Sequence, residues 1–170
     1  PLVTALVLAI AACAPQATRP PAADAAPAAA PQPTADETFA ALSRQWLTDM
    51  LQANPVGATQ FGEHGHDSEL DDLGPAGRAH ALALAQDTLA ALERIDVTQL
   101  SRENQVDHAI LRNQLQLDIW NAQVAQDWAR NPLLYSGLAG NALFSLMARD
   151  FAPLPVRLRA PTARIEKLPA

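Results

Sequence analysis

The sequence is short of positive charge. Its 170 residues hold 12 lysines and arginines against 18 aspartates and glutamates, a formal charge of -6. No block of Lys and Arg occurs, which excludes the clustered phosphate contacts that nucleic-acid binding requires. Cysteine is represented once, by Cys13. No intramolecular disulfide can form, and none is needed if the core is helical and large enough. No apolar run approaches the ~20 residues that span a bilayer as a helix. A Gly-rich phosphate loop, a His-Glu-x-x-His helix and a nucleophile elbow are all missing, so the chain carries no complete catalytic motif. The hydrophobic content of 49% is inflated by alanine, and part of it sits in the first dozen residues.

Those residues, Pro1 to Ala12, read PLVTALVLAIAA. They have the character of the apolar part of a secretory signal peptide, and the missing basic leader implies that the sequence begins inside a precursor. The run stops at Ile10-Ala11-Ala12-Cys13, which resembles the bacterial lipobox. That resemblance implies cleavage before Cys13, lipidation there, and a membrane partner reached through the lipid. Ala14 rather than Asp after the cysteine points, by analogy with such lipoproteins, to the periplasmic face of the outer membrane rather than the inner one. Residues 13–35 are Ala, Pro, Gln and Thr with Arg19 and Asp24 as the only charges, and half of the 14 prolines lie within residues 1–35. Such a stretch cannot bury enough surface to offset chain entropy, so a disordered tether is expected. The division is thus a truncated signal peptide at 1–12, a lipidated tether at 13–35 and a folded domain at 36–170.

The folded part reads as all-α, an array of long antiparallel helices. Thr34 and Glu37 fit a capping box, and Phe39, Leu42, Trp46 and Met50 recur at helical spacing. The first helix is expected over Asp36–Gln52, ended by Asn54-Pro55. Gly74-Pro75 opens a second helix, with Leu82, Ala85, Leu89 and Leu92 on its apolar face, ending near Arg94. The short link Ile95–Leu100 returns the chain antiparallel, and Ser101 caps a third helix expected over Arg102–Ala129. Val106, Ile110, Leu117, Trp120, Val124 and Trp128 form its stripe, broadened by Leu111, Leu115 and Ile119, which predicts more than one packing neighbour. Residues 133–140 are expected to bend, with a helix from about Asn141 to Arg149. A last helix over Leu154–Leu168 carries Leu154, Leu158, Ile165 and Leu168 and is kinked or split at Pro161. The chain then stops without a finishing cap, which reads as truncation.

The stretch from Asn54 to Asp72 concentrates polar chemistry. It holds His64 and His66 among the carboxylates Glu63, Asp67, Glu69, Asp71 and Asp72. His-x-His with a carboxylate offers metal-ligand types, but no third histidine stands at a diagnostic spacing, and a turn held by local side-chain bonds accounts for the same residues. A third reading makes this stretch part of a cleft completed elsewhere. Asp71-Asp72 has the residue types of a general acid/base pair but better suits a solvated acidic start to the second helix, and Arg149-Asp150 a helix-end ion pair. His80 and His108 fall on polar helical positions, as surface or packing residues. Trp46, Trp120 and Trp128 fall on core stripes.

Several blocks resemble, in order, the bacterial family called domain of unknown function 885. They are Asn54-Pro55-Val56 through Gly62-Glu63-His64 to Asp67, Leu70 and Asp72; Leu92-Glu93-Arg94-Ile95-Asp96; Leu111-Arg112-Asn113-Gln114-Leu115; Asn131-Pro132-Leu133-Leu134-Tyr135; and Ala148-Arg149-Asp150-Phe151-Ala152-Pro153. The resemblance implies a longer helical envelope lipoprotein whose later part carries a zinc-peptidase-like His-Glu motif. On that basis this chain is the N-terminal part of a larger metallopeptidase-like fold, inactive alone, with no metal ligand of its own and zinc bound by the parent. It would pack on the rest of that protein and line a cleft for a peptide substrate with Glu63, His64, His66, Asp67 and Tyr135. His64 matches the family histidine, whereas His66 stands where an aromatic residue is more usual and Pro161 where a helix former is. The other reading is a non-catalytic helical lipoprotein that binds a peptide or protein partner in the envelope.

Overall fold

The computed structural model describes residues 32–167. The expected signal peptide, Cys13 and nearly all of the tether lie outside them. The first helix, α1, runs Ala35–Ala53. Its capping box is present: the Glu37 amide donates to Thr34 Oγ1 at 3.2 Å, and the Thr34 amide donates to Glu37 Oε2 at 2.8 Å. Asn54 ends α1 and starts a short helix, α2, Pro55–Phe61, because Pro55 at its first position needs no N–H partner. Gly62, at φ +92°, ends α2 in the left-handed conformation that glycine adopts without a Cβ clash.

The helices α3, Pro75–Leu92, and α4, Arg102–Trp120, complete a three-helix layer with α1. Phe39, Ala85, Leu92, Ile95, Leu100, Leu111 and Leu115 close its core, with Leu42, Trp46, Leu89 and Ile119 packed at the margin. Asp36 ties the start of α1 to the start of α4, accepting from the Ser101 amide at 3.0 Å and from Asn104 Nδ2 at 2.7 Å. These bonds hold its carboxyl below the usual carboxylate range. His108 lies on the buried face, not on a polar one, with Nε2 3.2 Å from the Leu92 carbonyl.

Three expectations about α4 and its sequel need correction. The face of α4 that meets α1 and α3 carries His108, Leu111 and Leu115. Val106, Ile110, Leu117, Trp120 and Val124 are exposed, so Trp120 is not a core residue. The helix does not continue to Ala129. It widens into a π-type turn over Asn121–Ala125, and Gln126 then takes a left-handed conformation, φ +51°. A single-turn helix, α5, Asp127–Arg130, follows. This break sets Trp128 against the guanidinium of Arg78, 4.0 Å from the ring centroid. The bend expected over residues 133–140 is instead the first half of a continuous helix, α6, Pro132–Ala148. Asn131 caps it by accepting from the Leu133 amide at 3.1 Å. Two glycines cost about 1 kcal/mol each in a helix, and burial of Ala142, Ser145 and Leu146 on one face outweighs that.

The last expected helix is split into α7, Leu154–Arg157, and α8, Arg159–Lys167. The division falls at Leu158, ahead of Pro161, which then sits in the first turn of α8 where its missing N–H leaves no gap. The buried face of this segment is Arg157, Pro161 and Arg164, while Leu154, Leu158 and Ile165 are exposed. The second layer, α2 with α6 and α8, is thus assembled around arginines. Among the described residues no helix is long and apolar enough to cross a membrane.

Candidate functional site

Arg164 is the centre on which residues 54–72 close. It has no accessible surface. Its Nε donates to the Glu69 carbonyl at 2.7 Å, Nη1 to the Ala142 carbonyl at 2.9 Å, and Nη2 to the Pro55 carbonyl at 3.1 Å and to Thr59 Oγ1 at 2.8 Å. One planar side chain therefore joins α8, α6, α2 and the loop that follows α2. Burial lowers its pKa, and the charges of Asp67 and Asp71 oppose that effect. The guanidinium stays charged because its fork is filled by acceptors and its charge is balanced nearby.

Thr59 carries the connection outward. Its hydroxyl, already accepting from Arg164, donates to Asp67 Oδ1 at 2.8 Å. Asp67 Oδ2 lies 2.9 Å from His64 Nδ1. An ionised Asp67 can only accept, so this bond assigns the proton of a neutral His64 to Nδ1 and leaves the lone pair on Nε2. Nε2 has no partner among the described residues, and the side chain is 31% exposed. The ring lies flat on Phe151, with centroids 3.7 Å apart and planes 13° apart. Phe151 is held in turn by the α6–α7 connection. There Arg157, buried, donates to the carbonyls of Met147, Arg149 and Ala152 and to Asp150 Oδ1 at 2.6 Å. Arg149 donates to the Gln60 carbonyl at 2.8 Å. The expected Arg149–Asp150 pair is replaced by these two contacts, because a helix end with unsatisfied carbonyls attracts the longer-range Arg157.

The five candidate cleft residues separate. His64 and Asp67 form one bonded unit. Glu63 is exposed and accepts from the Gly65 amide at 2.7 Å. His66 Nδ1 is 3.4 Å from Glu69 Oε2 but not aligned for a hydrogen bond. Tyr135 is tied elsewhere, its hydroxyl donating to the Trp128 carbonyl at 2.6 Å. Asp71 is not a solvated helix start. It accepts from the Val56 amide at 2.9 Å, and burial pushes its carboxyl above the ordinary value. Asp72 remains exposed, accepting from the Gly74 amide at 2.8 Å. Among the described residues no three His, Cys, Asp or Glu side chains are grouped to hold a metal ion. A zinc ion would need ligands beyond those described.

Thr59, Phe151 and Arg164 were not legible as site residues. An arginine inside a helical segment reads as solvated, and the one cue is its spacing from Arg157 and Pro161 on a single face. Thr59→Val keeps the shape and removes the hydroxyl that links Arg164 to Asp67. Leaving buried polar groups without a partner costs about 1–3 kcal/mol, so the unfolding free energy from urea denaturation should fall by that amount. His64 should also lose its fixed tautomer, read from the nitrogen shifts of its imidazole by NMR.

Residues 55–170 match the family described as "Bacterial protein of unknown function (DUF885)". The solved structure of a candidate lipoprotein of unknown function from Shewanella oneidensis superposes with a TM-score of 0.70 at 29% sequence identity, over 76% of this chain and 23% of that one. This chain therefore spans about a quarter of that protein's length. No curated protein matches the sequence.

Proposed function

The chain belongs to this bacterial family, and from that premise we propose that it is the N-terminal helical part of a longer, envelope-anchored protein resembling zinc-dependent peptidases, and that it contributes one wall of that protein's cleft. The observation that carries this reading is the presentation of His64. Arg164, Thr59 and Asp67 stand in line behind the ring, Phe151 clamps its plane, and Nε2 is left open. An imidazole nitrogen held this rigidly suits contact with a polar group of a ligand from a cleft wall. The match to only 23% of the solved relative supports a longer parent, and the lipoprotein character of that relative supports envelope association. Cys13 would carry the lipid, residues 13–35 the spacing from the outer membrane, and the rest of the parent the zinc.

Two measurements test this. Labelled palmitate fed to cells expressing the precursor should enter the wild type and not Cys13→Ser; equal labelling removes the anchor. The longer natural protein should bind zinc and cleave a peptide library, whereas residues 36–170 alone should bind no zinc tightly. Stoichiometric zinc on residues 36–170 that disappears in His64→Ala would reverse the assignment and make the loop a metal site.

A second reading rests on the outer face of α4. Val106, Ile110, Leu117, Trp120 and Val124 form one exposed stripe, as expected of a surface that docks another polypeptide. A non-catalytic lipoprotein that binds a protein partner would use it. A longer natural protein with neither zinc nor peptidase activity favours this reading.

A further inference from the structure

Along the seam between α1 and α3, with residues 69–73 as a third wall, lies an open groove of about 960 Å³. Its size is that of a ligand site rather than a packing defect. The floor is apolar, with Leu42, Leu70 and Leu84 among its lining residues. Around it stand the carboxylates of Asp49, Glu69, Asp71, Asp72 and Asp87. Few cations of the chain answer them. Arg78 also lines the groove, but it is engaged, donating to the Leu73 carbonyl at 2.6 Å and covering Trp128. Arg164 approaches Asp71 from the protein interior.

The carboxylates are incompletely used. Asp87 makes no hydrogen bond or ion pair among the described residues. Asp49 accepts one bond, from Gln45 on its own helix at 2.8 Å. Asp71 uses Oδ1 on the Val56 amide and leaves Oδ2 without a partner among the described residues. Burial disfavours its ionised form, so a cation seated beside it would relieve a cost already present in the fold.

We propose that this groove binds, in trans, a peptide whose apolar side chains rest on the leucine floor and whose lysine or arginine side chains reach Asp49, Asp71 and Asp87. An apolar ligand alone would leave the rim's repulsion unrelieved, and an anionic one would add to it. A polycation without apolar groups would leave the floor wet. The combination fits both, and long basic side chains are suited to lie with their stems on apolar surface and their heads at a charged rim. The groove is separate from the His64 face, and its occupancy does not depend on whether the parent protein is a peptidase.

The experiment uses the whole 170-residue chain and a fluorescein-labelled peptide in which leucine and lysine alternate, followed by anisotropy. Saturable binding is expected, weakening as salt is raised because the ion pairs are solvent-accessible. The double variant Asp49→Asn/Asp87→Asn should weaken binding by about tenfold, the combined effect of two exposed pairs. Asp107→Asn on α4, an exposed residue outside the groove, should leave it unchanged, and circular dichroism should show all variants equally helical. Equal affinity for the peptide with glutamate in place of lysine overturns the proposal. So does an equal loss in Asp107→Asn, which would mean diffuse attraction to an acidic chain. Absence of saturable binding overturns it too, as does sedimentation of a dimer that the double variant dissociates, which would give the groove to a second copy.

Discussion

Arg164→Ala should cost about 3–5 kcal/mol, the penalty for removing one member of a buried charged network. That is a large share of the ~5–15 kcal/mol by which a domain is stable. The loss has three parts. The carbonyls of Pro55, Glu69 and Ala142 lose their donor in a place water does not reach. Asp67 and Asp71 lose the positive charge that offsets their own burial. The truncated side chain also leaves a void between α2, α6 and α8. Arg164→Lys should recover little, since an ammonium cannot reproduce the planar fork that reaches three backbone segments at once. Urea unfolding of both variants measures this. If Arg164→Ala shifts stability by less than about 1 kcal/mol, the second layer is held by something other than this clasp. The damage should be local first. The seven-residue core of α1, α3 and α4 does not include Arg164, so hydrogen exchange should rise at residues 55–72 and 142–164 before it rises at Leu92 or Leu115.

Gly77→Ala should destabilise as well, against the usual direction for a helical glycine. Alanine is favoured over glycine in a helix by about 1 kcal/mol. Here, however, a Cβ on residue 77 would overlap the Asp72 carbonyl oxygen and come within 2.6 Å of Asp72 Cβ and Cγ. The obstacle is backbone and cannot rotate away. The segment 71–73 must shift, taking Asp71 off the Val56 amide and away from Arg164. Overpacking of this kind costs about 1–3 kcal/mol. Gly140→Ala is the matched comparison. Nothing lies within 4 Å of its added Cβ, so it should stabilise by about 0.4–1 kcal/mol. Thermal melts of the pair therefore move in opposite directions. A stabilised Gly77→Ala would mean that the 71–73 segment is not seated on α3 as described.

The helical layer was legible because its determinants are local. Thr34 and Glu37 start α1, Asn54-Pro55 stops it, and Ser101 starts α4, each by a bond within four residues along the chain. Periodicity also found the inner faces of α1 and α3, where Phe39, Leu42 and Trp46 and then Ala85, Leu89 and Leu92 pack in the core. On α4 two stripes compete, and periodicity has no means of ranking them. Leu111 and Leu115 are buried while Ile110 and Leu117 are exposed because α1 and α3 cover only one side. Glycines at 137 and 140 and the asparagine–proline pair before them suggested a bend, yet those same features permit a capped helix, and the contact of α6 with α2 and α8 decides for it.

What the sequence by itself determined is the class of the fold, the start and stop of α1 and α3, the family to which it belongs, and the loop where polar residues gather. Caps, prolines and apolar spacing act over a few residues, so they can be read in one dimension. Only the tertiary structure decided that His64 and Asp67 are bonded to each other while Tyr135 bonds elsewhere, that Asp71 is drawn inward, and that an arginine fills the centre of the second layer. Arg164 meets Pro55 and Glu69 across 109 and 95 residues of chain. The cost of burying its charge is met only when acceptors from α2, α6 and the loop converge on one guanidinium, and that convergence is a property of the packed fold.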